Sequence, residues 1–236
     1  MKVVILCGGL GSRLSEETKI KPKPLVEIGG KPILWHIMKY YQSFGINNFI
    51  LALGYKGQMI EEFFKKNNSE NFNIKFVKTG QYAQTGARLL KLKKHLIQDE
   101  NFMLTYGDGL CDVNLKKLID FHVKKKPIAT ITAVNPPVRF GELKIRSNAI
   151  TKFREKSRNK TNWISGGFFI FNKKILNYIP KGDKSVLETH PFTKLVLKKK
   201  INAFKHRGFW QCMDTMREKN ILNELWNERK TPWKNW

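Results

Sequence analysis

The sequence has few cysteines, no long apolar run and no recognisable secretion signal or internal repeat. Its three cysteines, Cys7, Cys111 and Cys212, are widely separated and lack paired metal-ligand spacing, so we expect them to be reduced, as in a cytoplasmic protein. No apolar stretch approaches the roughly 20 residues that a membrane-spanning helix needs. We therefore expect no membrane partner.

Acidic residues are also scarce, and this leaves a large positive charge. The 236 residues include 44 Lys and Arg against 19 Asp and Glu, which gives a formal charge of +25. Such a charge would suit nucleic-acid binding, but the lysines are spread along the chain and no nucleic-acid module accompanies them. We expect no nucleic-acid partner. Anionic substrates or a lysine-rich proteome would explain the charge, and the charge alone does not separate the two.

The order of the predicted elements indicates an α/β protein. Apolar runs that alternate with helical patterns predict a mixed, mostly parallel central sheet with helices on both faces. After Pro136-Pro137 the strands become shorter and predict an antiparallel half laid against the first. We expect one domain over residues 1–236. The strands predicted in the first half cover residues 3–6, 48–54, 74–77, 102–106 and 128–133.

A glycine-rich turn follows the first predicted strand, which reads as buried on both faces. The turn, residues 8–13, has the sequence Gly8-Gly9-Leu10-Gly11-Ser12-Arg13 and is called the glycine turn below. Glycines let backbone N–H groups approach an anion, and the Arg13 guanidinium suits phosphate oxygens. The turn is neither a P-loop, because Pro32 follows Gly30-Lys31, nor a dinucleotide fingerprint, because Leu14 replaces the third glycine. A plain tight turn is the alternative.

Lysine and carboxylate side chains near this turn could serve a phosphate-transfer site. In Lys21-Pro22-Lys23-Pro24 the prolines stiffen the segment, so that Lys23 can be aimed at a phosphate. Asp108 follows the strand predicted over 102–106, and it should therefore share the sheet edge with the glycine turn and could bind a metal. An Asp-Gly turn is the alternative for Asp108. Asp214 is equally suited to ligate a metal or to cap the helix predicted over 213–228.

Taken together, these motifs resemble the signature of the sugar-phosphate nucleotidyltransferases. The likeness is greatest to members that use CTP. It implies a Rossmann-like fold of the GT-A type, a homo-oligomer, and Mg²⁺-dependent transfer of CMP from CTP to a sugar 1-phosphate. Glucose 1-phosphate is the expected acceptor, and another sugar phosphate or a non-sugar capsule precursor is the alternative. The matching pieces are residues 8–18, 21–24, 27–38, 105–109 and 208–211.

The resemblance also assigns roles to particular residues. It implies that Asp108 and Asp214 hold Mg²⁺ and that Arg13, Lys23 and Asp108 are catalytic. It divides the chain into a nucleotide-binding half, about 1–133, and an acceptor-binding half, about 134–236. The nucleotide would contact Leu6, Cys7, Gly8, Gly9, Leu10, Gly11, Ser12, Arg13, Lys23, Thr85, Arg88 and Gly107. The acceptor would contact Tyr106, Gly141, Glu155, Lys156, Gly166, Gly167 and Glu188. A plain surface role is the alternative for Arg88 and for Lys156.

The acceptor half departs from the family pattern at several positions. Ser157 follows Glu155-Lys156 where the family usually has proline, and Ser165 stands where it usually has asparagine before two glycines. The stretch around Glu188 also differs, and the connection after Phe64 is shorter than usual. A hydroxyl-binding pocket discriminates through its polar groups, so these changes leave the acceptor less well specified than the nucleotide.

Overall fold

A computed structural model of the protein describes residues 1–136, 141–154 and 162–236. The strands in these ranges are β1 (Val3–Cys7), β2 (Glu27–Ile28), β3 (Lys31–Pro32), β4 (Asn48–Leu53), β5 (Asn73–Lys78), β6 (Asn101–Tyr106), β7 (Gly109–Cys111), β8 (Ala129–Val134), β9 (Glu142–Arg146), β10 (Ala149–Arg154), β11 (Ile164–Asn172), β12 (Ile201–His206) and β13 (Trp210–Cys212). The α-helices are α1 (Ser15–Thr18), α2 (Ile33–Gln42), α3 (Gly57–Lys66), α4 (Thr85–Lys91), α5 (Lys93–Leu96), α6 (Leu115–Lys125), α7 (His190–Leu197) and α8 (Met216–Asn227). Short 3₁₀ helices cover Ser12–Leu14, Lys23–Leu25 and Lys173–Tyr178.

Seven of these strands form one sheet in the order β12-β8-β11-β6-β1-β4-β5. β1 is parallel to both β4 and β6, β4 is parallel to β5, and β8 is parallel to β12. β11 is antiparallel to its two neighbours, β6 and β8. The predicted mixed, mostly parallel sheet is therefore confirmed.

β1 lies inside the sheet, and all five of its residues are buried. Val3, Ile5 and Cys7 pack on one face with side chains from α2, α3, α6 and α8. Val4 and Leu6 pack on the opposite face with side chains from α4, α5 and α7. Helices thus cover both faces of the sheet. This arrangement confirms the prediction that the first strand is buried on both sides.

The second part of the chain does not form a separate antiparallel half, so that expectation is wrong. β11 and β12 enter the same sheet as β1, whereas β9 and β10 pair with each other outside it. The reason lies in β11, whose residues from Gly166 to Phe171 are all buried. A run with two buried faces needs neighbours on either side and a layer above and below, and the position between β6 and β8 provides both.

Helix boundaries agree with the sequence patterns in some places and differ in others. The patterns predict helices over residues 33–44 and 57–66. α3 spans the second of these ranges, and α2 ends shortly before Gly45, which has a φ of +79°. A third pattern predicts a helix over residues 89–96, but the helix begins earlier, at Thr85, and is interrupted at Leu92. The helix expected from Met213 begins later, at Met216. None of the helices within the described ranges has both the length and the apolar composition that crossing a bilayer requires.

Candidate active site

A cavity of about 480 Å³ opens beyond the carboxyl ends of β1 and β6. The glycine turn forms one wall, and the segment between β5 and α4 forms another. The cavity brings together every residue for which nucleotide contact was predicted, together with Tyr106 and Asp108. Their ligand-binding roles stay predictions. The predicted residues among its lining are Leu6, Cys7, Gly8, Gly9, Leu10, Gly11, Ser12, Arg13, Lys23, Thr85, Arg88 and Gly107.

The glycine turn has a backbone that only glycine accommodates easily at one position. Gly11 has a φ of +67°, and a Cβ atom there would lie 2.7 Å from Cγ2 of Thr18. The Thr18 hydroxyl donates to the Gly11 carbonyl at 3.0 Å, and the amide of Leu14 donates to the same carbonyl at 2.9 Å. Gly9, in contrast, is exposed with open space where a Cβ would be. The residues thus form a tight turn and also line the cavity.

Arg88 supports the cavity wall from behind, and its side chain is not on the surface. The residue is only 4% exposed, so the surface alternative is wrong. Nη2 donates to the carbonyls of Gly8 and Gln81 at 2.8 and 3.2 Å. Nη1 donates to the Thr79 hydroxyl at 2.7 Å and to the Gly80 carbonyl at 2.8 Å. The guanidinium therefore ties the glycine turn to the segment that forms the opposite wall.

Close packing around Arg88 explains two glycines that the sequence alone does not. A Cβ at Gly8 would lie 2.0 Å from Cζ of Arg88, and one at Gly54 would lie 2.5 Å from its Nη1. Burial lowers the pKa of Arg88, yet a guanidinium stays protonated in proteins. The positive charge is consequently fixed under the turn and stabilises the carbonyls that face it.

Two carboxylates and two cationic side chains meet beside the cavity: Arg13, Lys23 and Asp108 line it, and Asp214 contacts both cations without lining it. Lys23 Nζ donates to Asp108 Oδ2 at 2.6 Å and to Asp214 Oδ1 at 2.5 Å. Arg13 Nη1 lies 3.0 Å from Asp214 Oδ2. Asp108 comes from the turn between β6 and β7, and Asp214 comes from the connection between β13 and α8. Residues far apart in the chain thus face each other across one ammonium group.

The electrostatics of this cluster favour the charged forms of Lys23 and Asp214. Burial opposes the charge on Lys23, but Asp108 and Asp214 outweigh it and raise the pKa of that lysine. Burial likewise acts to raise the pKa of Asp214, but Lys23 and Arg13 outweigh it and hold that pKa below its usual range. Two carboxylates that converge on one ammonium group offer the hard oxygen ligands that Mg²⁺ prefers. By the chemistry of its donors, the site fits a divalent cation.

The alternatives that the sequence allowed for the two aspartates have different outcomes. Asp108 does lie in a turn, and its side chain also reaches Lys23. Asp214 is not the helix cap, because Thr215 holds that position and accepts from the backbone N–H of Glu218. The Glu218 carboxylate in turn accepts from the amides of Asp214 and Thr215. This capping box leaves the Asp214 side chain free of helix capping.

Glu188 joins a residue of the predicted nucleotide group to one of the predicted acceptor group. The Tyr106 hydroxyl donates to Glu188 Oε1, and the Thr85 hydroxyl donates to Glu188 Oε2 at 2.6 Å. The amide of Leu187 donates to the Thr85 hydroxyl at 2.9 Å. Burial and the nearby Glu188 carboxylate raise the pKa of Tyr106, so its hydroxyl stays protonated and donates.

The remaining acceptor candidates are placed less uniformly. Gly167 has a φ of +78°, and a Cβ there would lie 2.5 Å from Cδ2 of Tyr106. The carbonyl of Gly166 accepts from the Trp210 indole at 2.8 Å. Gly141 is exposed, directly before β9, and does not line the cavity. Glu155 and Lys156 lie outside the described residues.

Several residues that line the cavity were not singled out from the sequence. They belong to the segment that precedes Thr85, apart from one proline next to Lys23. Their signal was proximity along the chain, since they connect a predicted strand end to a residue already assigned to the site. These residues are Pro24, Gln81, Tyr82, Ala83 and Gln84.

The chain is similar in sequence to known nucleotidyl transferases. A family model described as Nucleotidyl transferase matches residues 2–217. A glucose-1-phosphate cytidylyltransferase from Salmonella typhimurium is 44% identical over 257 aligned positions that cover all of both chains. A probable glucose-1-phosphate cytidylyltransferase from Bacillus subtilis is 41% identical over 256 positions, again over all of both chains.

A solved structure gives the same picture for the fold. HddC from Yersinia pseudotuberculosis, complexed with GMP-PN, is 29% identical and matches with a TM-score of 0.75. The match covers 95% of this chain and 99% of that one. The alignment to the Salmonella protein is longer than these 236 residues, so this chain has gaps against it. That they fall after Phe64 stays a prediction.

Proposed function

The chain belongs to the nucleotidyl transferase family, and from this we propose that it transfers CMP from CTP to glucose 1-phosphate, giving CDP-glucose and pyrophosphate. The observation that carries the proposal is the meeting of three residues that line the cavity, Arg13, Lys23 and Asp108, with Asp214, which contacts both cations. The choice of cytosine and glucose is supported by the full-length similarity to relatives that bear those substrates in their names.

The reaction requires neutralisation of the negative charge on the phosphates more than it requires proton transfer. A phosphate oxygen of the acceptor, already anionic at neutral pH, attacks the α-phosphorus of CTP, and the bond to pyrophosphate breaks. No general base is needed. Amides of the glycine turn, the Lys23 ammonium and the Arg13 guanidinium would stabilise the negative charge that develops on the phosphates. Asp108 and Asp214 would hold Mg²⁺, which neutralises phosphate charge when bound.

The acceptor side rests on the residues around Glu188. Both of its carboxylate oxygens already accept from Thr85 and Tyr106. Sugar hydroxyls would therefore meet a carboxylate that is positioned by its own chain. This arrangement, with Ser165 in place of the usual asparagine, keeps another sugar phosphate or a non-sugar phosphate as the second candidate acceptor.

Pyrophosphate release tests the function directly. The protein would be incubated with Mg²⁺, each of CTP, UTP, GTP and ATP, and a panel of sugar and non-sugar phosphates. We expect release with CTP and glucose 1-phosphate. Release with CTP and another phosphate alone would favour the second candidate acceptor. Absence of release with every pair would overturn the enzyme proposal.

Variants of the two aspartates test the site. Asp108→Asn and Asp214→Asn should each abolish metal-dependent pyrophosphate release while the thermal unfolding temperature changes little. Asp120→Asn, at an exposed position on α6, is the matched control and should keep full activity. Full activity in either site variant would contradict the assignment of that aspartate to the metal.

Self-association is supported by the hairpin formed by β9 and β10. Ile145 pairs with Ile150 and Leu143 pairs with Phe153, so these four side chains share one face. They are 63%, 61%, 48% and 62% exposed respectively. A two-stranded hairpin is only marginally stable by itself in water. We infer that a second copy of the chain covers this apolar face in a homo-oligomer.

The state of the cysteines supports a cytoplasmic location for the protein. The cysteines are unpaired, with Cys7 and Cys111 buried, as expected of a protein in the reducing cytoplasm. A CDP-sugar would serve polysaccharide synthesis, for example of a capsule.

We also propose that residues 1–236 act as one domain, because β11 and β12 complete the sheet that β1 begins.

A further inference from the structure

The Lys23 ammonium occupies the position between the two carboxylates that would hold the metal ion. We propose that Lys23, assisted by Arg13, is an internal counterion that keeps the metal site closed until the phosphates of the nucleotide draw both cations away. This inference rests on the proposed nucleotidyl transfer. It adds an order of events: the metal binds with the nucleotide or after it, and only weakly before it.

Both carboxylates already bond to cationic side chains of the chain itself. Asp214 uses both oxygens within the chain, Oδ1 on Lys23 and Oδ2 on Arg13. Asp108 uses Oδ2 on the same lysine. A divalent cation that approached this pair would compete for oxygens already hydrogen-bonded and would meet a positive charge at close range. Coulomb repulsion between the two cations would then oppose metal binding.

Burial makes this competition stronger than it would be on the surface. The side chains of Lys23 and Asp214 are 11% and 15% exposed, so solvent screens their interaction poorly. Without Lys23 the two carboxylates would repel each other in a poorly solvated place. The lysine therefore stabilises the two carboxylates and also competes with a metal ion for them.

The position of both cations explains how a nucleotide would open the site. Lys23 and Arg13 line the same cavity as the glycine turn, where the triphosphate is proposed to bind. Arg13 is largely exposed, at 72% of its side chain, and can follow a phosphate without breaking buried contacts. Once the phosphates pair with these cations, the carboxylates lose their counterions. Nucleotide and metal would then each raise the affinity of the other, as linkage requires.

Binding of Mn²⁺, used as a paramagnetic stand-in for Mg²⁺ and measured by electron paramagnetic resonance without acceptor, tests the proposal. For the wild type we expect weak Mn²⁺ binding that CTP strengthens. Lys23→Met should raise the affinity for Mn²⁺ in the absence of CTP by about tenfold, since it removes a charge next to the metal site. It should also reduce the strengthening by CTP. Lys21→Met is the matched control, because Lys21 pairs with Glu27 at 3.5 Å outside the site.

The outcomes separate this proposal from the proposed function. Unchanged or weaker Mn²⁺ binding by a folded Lys23→Met protein would overturn the counterion role. Equal Mn²⁺ affinity of the wild type with and without CTP would overturn it as well. If Lys23→Met does not fold, Arg13→Met provides the test and should raise Mn²⁺ affinity by a smaller factor. The readout needs no turnover, so a failed pyrophosphate assay would count against the function and not against the counterion.

Discussion

Replacing Arg88 by methionine should destabilise the protein more than any surface change, because the guanidinium holds two walls of the cavity together. Its two Nη atoms make five hydrogen bonds, four to carbonyls and one to a hydroxyl. Methionine keeps much of the aliphatic volume but removes every donor. The carbonyl of Gly8, itself buried, loses the partner that Arg88 provides.

The magnitude follows from these bonds and from the cost of burying the charge. Hydrogen bonds from a charged donor contribute roughly 1.5–3 kcal/mol each, and desolvation of the guanidinium offsets much of the sum. Each buried acceptor left without a partner costs about 1–3 kcal/mol, so the loss of the guanidinium should cost about 3–5 kcal/mol in total. For a protein of this size that corresponds to a fall in melting temperature of roughly 10 °C.

Urea unfolding and thermal melting of Arg88→Met would measure this loss, and CTP affinity would be measured in parallel. Arg217→Met, at an exposed position on α8, is the control and should change stability by less than about 0.5 kcal/mol. A loss of less than about 1 kcal/mol in the free energy of unfolding, together with abolished CTP binding, would refute the reasoning, since stability losses of that size are typical of minor surface changes. Arg88 would then act on the nucleotide directly, as the family resemblance implies.

Two further results are expected. Burial lowers the pKa of His36 to about 4 from an ordinary value of 6.5. As the pH falls from 6.5 to 4, His36 therefore becomes protonated in the unfolded chain but stays neutral in the folded protein. The free energy of unfolding should fall by at most about 3 kcal/mol over this pH range. Urea titrations at several pH values would measure this fall, and His36→Gln should make it smaller. An unaltered pH dependence in the variant would argue against a buried neutral histidine. In sedimentation experiments Ile145→Asp should reduce the mass of the assembly, whereas Lys144→Asp, on the opposite face of the hairpin, should not. Identical masses for wild type and Ile145→Asp would show that the apolar face is not the contact.

Much of the site could be predicted, because local apolar patterns indicate which strands are buried and because parallel strands end at the same edge of a sheet. The apolar run 3–6 predicts a strand buried on both faces, and the turn that follows such a strand lies at the carboxyl edge of the sheet. Asp108 follows another parallel strand, so its proximity to the glycine turn could be inferred before any coordinates. The cap of α8 was also readable, since Thr215 and Glu218 have the capping-box spacing, although the prediction placed the helix start too early.

Other features could not be read from local patterns, because they depend on contacts between distant segments. Buried Arg88 donates to carbonyls that include those of Gly8 and Leu53, and no spacing in the sequence connects these residues. The order of the strands in the sheet also depends on contacts between distant segments. The run in β11 indicates burial, but its neighbours could have been any two strands with open edges.

The place of β11 has a consequence for how the protein is made. β6 has β1 on one side and must wait for β11 on the other, yet β11 comes more than fifty residues later in the chain. On the ribosome, β6 therefore keeps an unpaired edge throughout the synthesis of the intervening segment, and such edges recruit other chains. Substitutions that weaken β11 should consequently lower the yield of newly made soluble protein before they alter the turnover of the molecules that complete folding.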